Sequence, residues 1–115
     1  MQKKHSPNWK RSMQYKLVIT GTAEQDLEDI AGYIANDLSS PKAAIAFLND
    51  VDNCYDNISL NPHMYPFCEN ERLKRQEYRK ALIKNYIMFY RVDDKTRTIY
   101  VMRFIYGGRD YIKLL

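Results

Sequence analysis

The chain has 115 residues, 45% of them hydrophobic and 28% charged, with a formal net charge of +4. That length fits one domain able to bury a core without disulfide or metal staples, and no apolar run approaches the roughly 18 residues of a membrane span. The two cysteines, Cys54 and Cys68, flank His63 at spacings that match no usual zinc pattern, so reduced thiols, no metal and no cofactor are expected in a soluble, cytoplasmic protein.

Residues 1–14 are polar and basic, with Pro7 and no periodicity. They read as an unstructured basic arm, a vector remnant or the stretch before a start at Met13. A single domain then spans 15–115. Residues 15–20 (YKLVIT) form a short β-branched and aromatic run ended by Gly21, which predicts a first strand. Thr22 and Gln25 make a capping-box pattern, so a helix is expected to start there. Leu27, Ile30, Ala31, Ile34 and Leu38 recur at helical spacing, while Glu24, Asp26, Glu28 and Asp29 crowd the first turns, where the helix dipole favours negative charge.

Ser39, Ser40 and Pro41 end that helix and begin another, with Ser40 as N-cap and Pro41 at the first helical position. The second helix carries Ala44, Phe47, Leu48, Val51, Tyr55 and Ile58 on one stripe and stops near Asn61-Pro62. So short a connection makes an antiparallel helical hairpin whose apolar stripes need a sheet to cover. Residues 61–77 are loop-like, in a length range that is often functional or mobile, with Arg72, Lys74 and Arg75 as solvated loop residues.

Residues 78–83, 86–92 and 98–106 read as three strands, separated by Lys84-Asn85 and by Asp93-Asp94-Lys95-Thr96. Such turns imply an antiparallel meander. The order β-α-α-β-β-β is that of an α+β fold, an antiparallel sheet with the α-hairpin packed on one face. Charge divides along the same line: residues 15–70 hold two basic residues against nine acidic, and residues 71–115 hold twelve basic against five acidic. The segment 78–111 adds six tyrosines to that positive charge, chemistry suited to phosphates, to bases or to an acidic partner.

The strand-helix-helix opening, the NPHMYP loop, YRKALIKNYIMFYRV and the ending RFIYGGRDYIKLL together resemble the RelE/ParE superfamily of bacterial toxins, over roughly residues 13–115. The resemblance implies the toxin of a type II toxin–antitoxin (plasmid stabilisation) module, which arrests growth and is neutralised by a cognate antitoxin in a hetero-oligomer. Two targets divide the superfamily. RelE-like members cleave messenger RNA on the ribosome, whereas ParE-like members poison DNA gyrase with a similar fold and without the nuclease residues. RelE-like nucleases place an arginine where this chain has Ile87 and a second lysine where it has Ala81, so the resemblance leans to the ParE side. RNA cleavage is the alternative, and a relative that has lost toxicity and only binds or regulates is the third.

Metal-free RNA cleavage needs a base for the 2′-oxygen, cations for the developing phosphorane and an acid for the leaving oxygen. The candidates for those roles are Arg79, Lys80, Arg103, Arg109 and Tyr111, with Arg79 and Arg109 expected close together at a concave sheet surface. Lys84, Tyr86, Tyr90, Arg91 and Tyr106 are the candidates for binding the target or the antitoxin, by stacking and by charge. Each has a plainer role open to it. Strand tyrosines pack in cores or interfaces, and Arg103, at period two with Ile99, Val101 and Ile105, either caps the end of a buried face or pairs with an acidic neighbour. The basic half also suits an acidic, apolar antitoxin segment that folds on binding.

Overall fold

The computed structural model describes residues 14–115. The basic arm read at the N-terminus therefore lies, Gln14 apart, outside the described residues. The chain runs through β1 (Lys16–Ile19), α1 (Gly21–Gly32), α2 (Pro41–Leu60), α3 (Glu71–Arg75), β2 (Arg79–Ile83), β3 (Tyr86–Asp93) and β4 (Thr98–Tyr106). The expected order holds, with the short α3 added.

Helix α1 begins earlier than the capping-box pattern suggests. Thr20, not Thr22, is the N-cap: its Oγ1 accepts from the Ala23 amide at 3.2 Å, and Gln25 donates to Asp29 at 3.0 Å instead of reaching back. Thr20 wins because β4 already holds it, through its amide on the Val101 carbonyl at 3.1 Å and its hydroxyl on the Met102 carbonyl at 3.2 Å. After Gly32 the helix widens into a π-turn at Tyr33–Asp37. Ser40 then caps α2 through the Ala43 amide at 3.3 Å, with Pro41 in the first turn, as its sequence predicts.

The four strands form one sheet in the order β1-β4-β3-β2. β2, β3 and β4 make the expected antiparallel meander. β1, however, lies parallel to β4, so the sheet is mixed and not antiparallel throughout. The Lys16 amide donates to the distant Arg97 carbonyl at 2.8 Å, which ties the start of β1 to the start of β4.

One face of the sheet packs under the helices. Phe47 and Val51, each 2% exposed, join Ala44, Cys54 and Ile58 from α2 and meet Ala81, Met88, Tyr90, Ile99, Val101 and Phe104 from the strands. Leu48 does not belong to this stripe: it is 38% exposed. The buried positions 47, 51, 54 and 58 follow the helical period through Cys54, which rotates Leu48 to the edge. Leu27 and Ile30 are half-buried at the margin.

The other face is covered as well. Leu73 of α3 packs with Cys68, Ile87, Phe89 and Ile105, and the C-terminal Tyr111, Leu114 and Leu115 lie against them. Residues 71–75, expected as loop, form a helix because the Asn70 side chain accepts from the Leu73 amide at 3.1 Å and Leu73 becomes fully buried. Ile87, Met88, Phe89 and Tyr90 of β3 are consequently all buried, two toward each layer. Among the described residues no helix is long and apolar enough to cross a membrane. No group of three His, Cys, Asp or Glu among them could hold a metal ion.

Candidate functional site

The meander directs the candidate residues to two ends and two faces of the sheet. At the β2–β3 turn end, Tyr86 packs on Phe47 with ring centres 5.2 Å apart, and edge-on to Tyr106 at 5.8 Å. Lys84 takes a left-handed φ of 56° in the turn and reaches Asp50 of α2 at 3.4 Å. The Gly107 amide closes this end by donating to the Asn85 carbonyl at 2.8 Å. A Cβ on Gly108 would stand 2.5 Å from the Tyr106 ring, so any other residue there would have to displace that ring. Arg109 follows directly. Tyr86, Tyr106, Lys84 and Arg109 thus share one end of the sheet.

At the opposite end Arg79 braces the loop that precedes α3. Its guanidinium donates to the Tyr65 carbonyl at 2.6 Å and stacks 4.1 Å from the Phe67 ring centre. Nearby, the Tyr15 hydroxyl donates to Asp94 at 2.7 Å and His63 lies 3.0 Å from the same carboxylate. The tyrosine hydrogen bond, then the histidine, hold the Asp94 carboxyl below its ordinary range, and the same bond raises the Tyr15 phenol.

Arg79 and Arg109 do not meet. β2 and β4 both run antiparallel to β3, so the start of one and the end of the other lie at opposite ends of the sheet. Arg79 is level with Tyr90 and Val101, and Tyr106 is five residues beyond Val101 along β4. By strand rise and spacing the two ends are roughly 15–20 Å apart.

Arg103 is held in the fold. Its Nε donates to Asp26 Oδ2 at 2.8 Å and Nη2 to Oδ1 at 3.2 Å, while Nη1 reaches the Leu114 carbonyl at 3.3 Å. The Asp26 hydrogen bonds raise the guanidinium further above its ordinary value. Asp26 also accepts from the Phe104 amide at 3.0 Å, on the edge of β4 that β1 no longer pairs beyond Val101. Tyr90 is equally committed: fully buried, it donates to the Pro62 carbonyl at 2.9 Å, and burial pushes its phenol up to about 12. It is a core residue, unavailable for stacking a base.

The face away from the helices carries the remaining candidates. Lys80 pairs across from Phe89, and Tyr111 packs on that same Phe89 ring at 5.0 Å. Arg91, two residues along β3, is exposed and stacks over Tyr78 at 5.6 Å. This face brings Lys80, Arg91 and Tyr111 together as a cationic, aromatic surface.

Sequence reasoning missed a cleft of about 340 Å³ between α2 and β2. Asp50, Asn53 and Asn57 of α2 line one side, and Tyr65, Leu82 and Lys84 complete the lining with Cys54 and Ile83. The signal was present as a polar row at positions 50, 53 and 57, flanking the apolar stripe of α2.

A family model described as ParE toxin of type II toxin-antitoxin system, parDE, matches residues 17–111. The chain belongs to that family. Its fold is also that of two solved toxin–antitoxin systems. One is the complex RelBE2 from Mycobacterium tuberculosis, at 21% identity and a TM-score of 0.57, covering 81% of this chain and 98% of that one. The other is a chromosomal ParDE system from P. aeruginosa, at 17% identity and a TM-score of 0.64, covering 82% of this chain and 97% of that one. No curated protein matches the sequence significantly. Ala81 and Ile87, on which the lean to the ParE side is read from the sequence, are 0% and 9% exposed.

Proposed function

We propose that the protein is the growth-arresting toxin of its module, that a cognate antitoxin neutralises it by direct binding, and that it poisons DNA gyrase by binding without cleaving RNA. The observation that carries this reading is the dispersal of the arginines. Arg79 is bound to the Tyr65 carbonyl, Arg103 to Asp26, and Arg109 lies at the other end of the sheet from Arg79. A phosphorane-stabilising clamp needs its cations converging on one atom within hydrogen-bond reach. Lys80, Arg91 and Tyr111 remain available on one face, and a cationic aromatic surface of that kind suits protein binding as well as it suits RNA.

The antitoxin is supported by the two structural neighbours, each of which is a toxin–antitoxin system. The charge division fits an acidic and apolar antitoxin segment on the basic half. Induced expression alone should arrest growth, and co-expression of the small reading frame adjacent to this one should restore it. Purified protein should stabilise gyrase–DNA cleavage complexes. Arrest that no adjacent reading frame relieves would contradict the antitoxin half of the proposal, and unaltered gyrase activity would contradict the other.

A further inference from the structure

One flank of α2 carries acids that no cation among the described residues answers. Asp52, Asp56 and Ser59 recur at the spacing that sets them on one stripe of the helix. The Ser59 end of that stripe meets the start of the fold, since its carbonyl accepts from the Tyr15 amide at 2.9 Å. Burial, then Asp56 one turn away, raise the Asp52 carboxyl above its ordinary range. Like charges at that spacing are destabilising. Tyr55 stands within electrostatic reach of Asp52 and of Glu24 on α1, and its phenol is raised by burial first and by those carboxylates after. The Tyr55 hydroxyl is buried and has no hydrogen-bond partner among the described residues, so it does not answer Asp52 either. Other acids of the hairpin are compensated: Asp26 holds Arg103 and Asp50 holds Lys84. Asp52, Asp56 and Glu24 enter no ion pair among the described residues.

We propose that this acidic flank docks the chain's own N-terminal segment, with Lys10 and Arg11 on Asp52 and Asp56 and Trp9 held against the same flank. Charge selects that occupant, because residues 1–13 carry Lys3, Lys4, Lys10 and Arg11 and no acid. So does the point of entry, because the segment joins the fold at Tyr15, beside Ser59. Reach agrees with both. Asp56 and Asp52 lie roughly 4.5 and 10.5 Å from Ser59 along the helix axis, and the chain from Tyr15 back to Arg11 and Lys10 spans roughly 13–18 Å when extended. Cations there would relieve the repulsion within α2 as well as form pairs, which sets them apart from an isolated surface ion pair.

Other occupants fit less well. The hairpin of a second copy is itself acidic, with two basic residues against nine acidic over residues 15–70, and nucleic acid would be repelled by the same carboxylates. The N-terminal segment of a second copy has the right charge, but the tether gives the chain's own segment a high effective concentration that the other lacks.

Trp9 is the only tryptophan in the chain, so its fluorescence reports on the segment directly. The test uses the full chain, with a synthetic peptide of residues 1–14 as the free reference. At low salt the Trp9 emission should be shifted to the blue and less quenched by acrylamide than in the peptide. Both differences should be lost near 1 M salt, where the Debye length is about 3 Å. They should also be lost at low salt in the double substitution Asp52→Asn, Asp56→Asn. Lys10→Gln with Arg11→Gln should release Trp9 in the same way, and keeps the test decisive if the aspartate variant folds poorly. In that arm variant the Asp52 carboxyl, followed by its carbon resonance, should titrate at higher pH than in the unsubstituted chain. Quenching equal to that of the peptide at low salt, or protection that survives either double substitution, would overturn the proposal. So would protection that grows with protein concentration, which would assign the contact to a second copy, or protection that appears only when nucleic acid is added.

Discussion

Arg103 and Asp26 stand 77 residues apart in the chain and 2.8 Å apart in the fold. Their pair joins three parts: α1, which carries Asp26; β4, whose Phe104 amide Asp26 also accepts; and the C-terminal segment, whose Leu114 carbonyl Arg103 holds. The side chains are 26% and 14% exposed, so most of the water that would screen such a pair is gone. Asp26→Ala leaves a half-buried guanidinium and a strand amide without their acceptor, and should cost about 2–4 kcal/mol in denaturant unfolding. Arg103→Ala made in the Asp26→Ala background should add much less than it costs alone, and the double-mutant cycle measures that coupling.

The rotation of α2 separates two neighbouring residues. Phe47→Ala should lose about 3–5 kcal/mol, because a 2%-exposed ring leaves a cavity against Tyr86. Leu48→Ala should lose only about 1 kcal/mol, because 38% of that side chain already meets solvent. Equal losses in urea titration would contradict the register given for α2.

Tyr90 makes stability depend on alkaline pH. Its folded-state phenol is raised from 10.0 to about 12, so below pH 10 both folded and unfolded states keep the proton and stability is unaffected by this group. Above pH 10 the unfolded chain ionises first, and the folded state loses about 1.4 kcal/mol per pH unit until the folded phenol itself titrates. Tyr90→Phe should remove that part of the slope, at a cost of about 1 kcal/mol at neutral pH for the hydrogen bond to Pro62.

Arg79 should behave as a brace. Arg79→Ala removes the bond to Tyr65 and the stacking on Phe67, and should speed hydrogen exchange at Cys68 and Lys80, whose amides bond across that bridge, while costing about 1–2 kcal/mol. Exchange rates unchanged at both amides would contradict the role.

Much of this architecture is legible in the sequence because local rules and tertiary packing agree. Ser40-Pro41 starts a helix with or without the rest of the fold, and the β2–β3–β4 meander follows from tight turns between alternating runs. The departures are places where a distant group decides. Thr20 takes the cap from Thr22 because β4 holds it. Residues 71–75 become helical because Leu73 finds an apolar pocket under a C-terminal segment that pattern alone does not place. β1 joins β4 in parallel through a main-chain bond to Arg97. The candidate site suffered most, since one-dimensional spacing puts Arg79 and Arg109 in the same basic segment but cannot show that strand direction carries them to opposite ends.

The central claim is that this toxin acts by binding. Induced expression in cells, sampled at the onset of growth arrest for both messenger RNA ends and gyrase-linked DNA breaks, tests it most directly. The account predicts intact messenger RNA and an increase in gyrase-linked breaks. Codon-phased cleavage of ribosome-bound messenger RNA, with DNA unbroken, would contradict it.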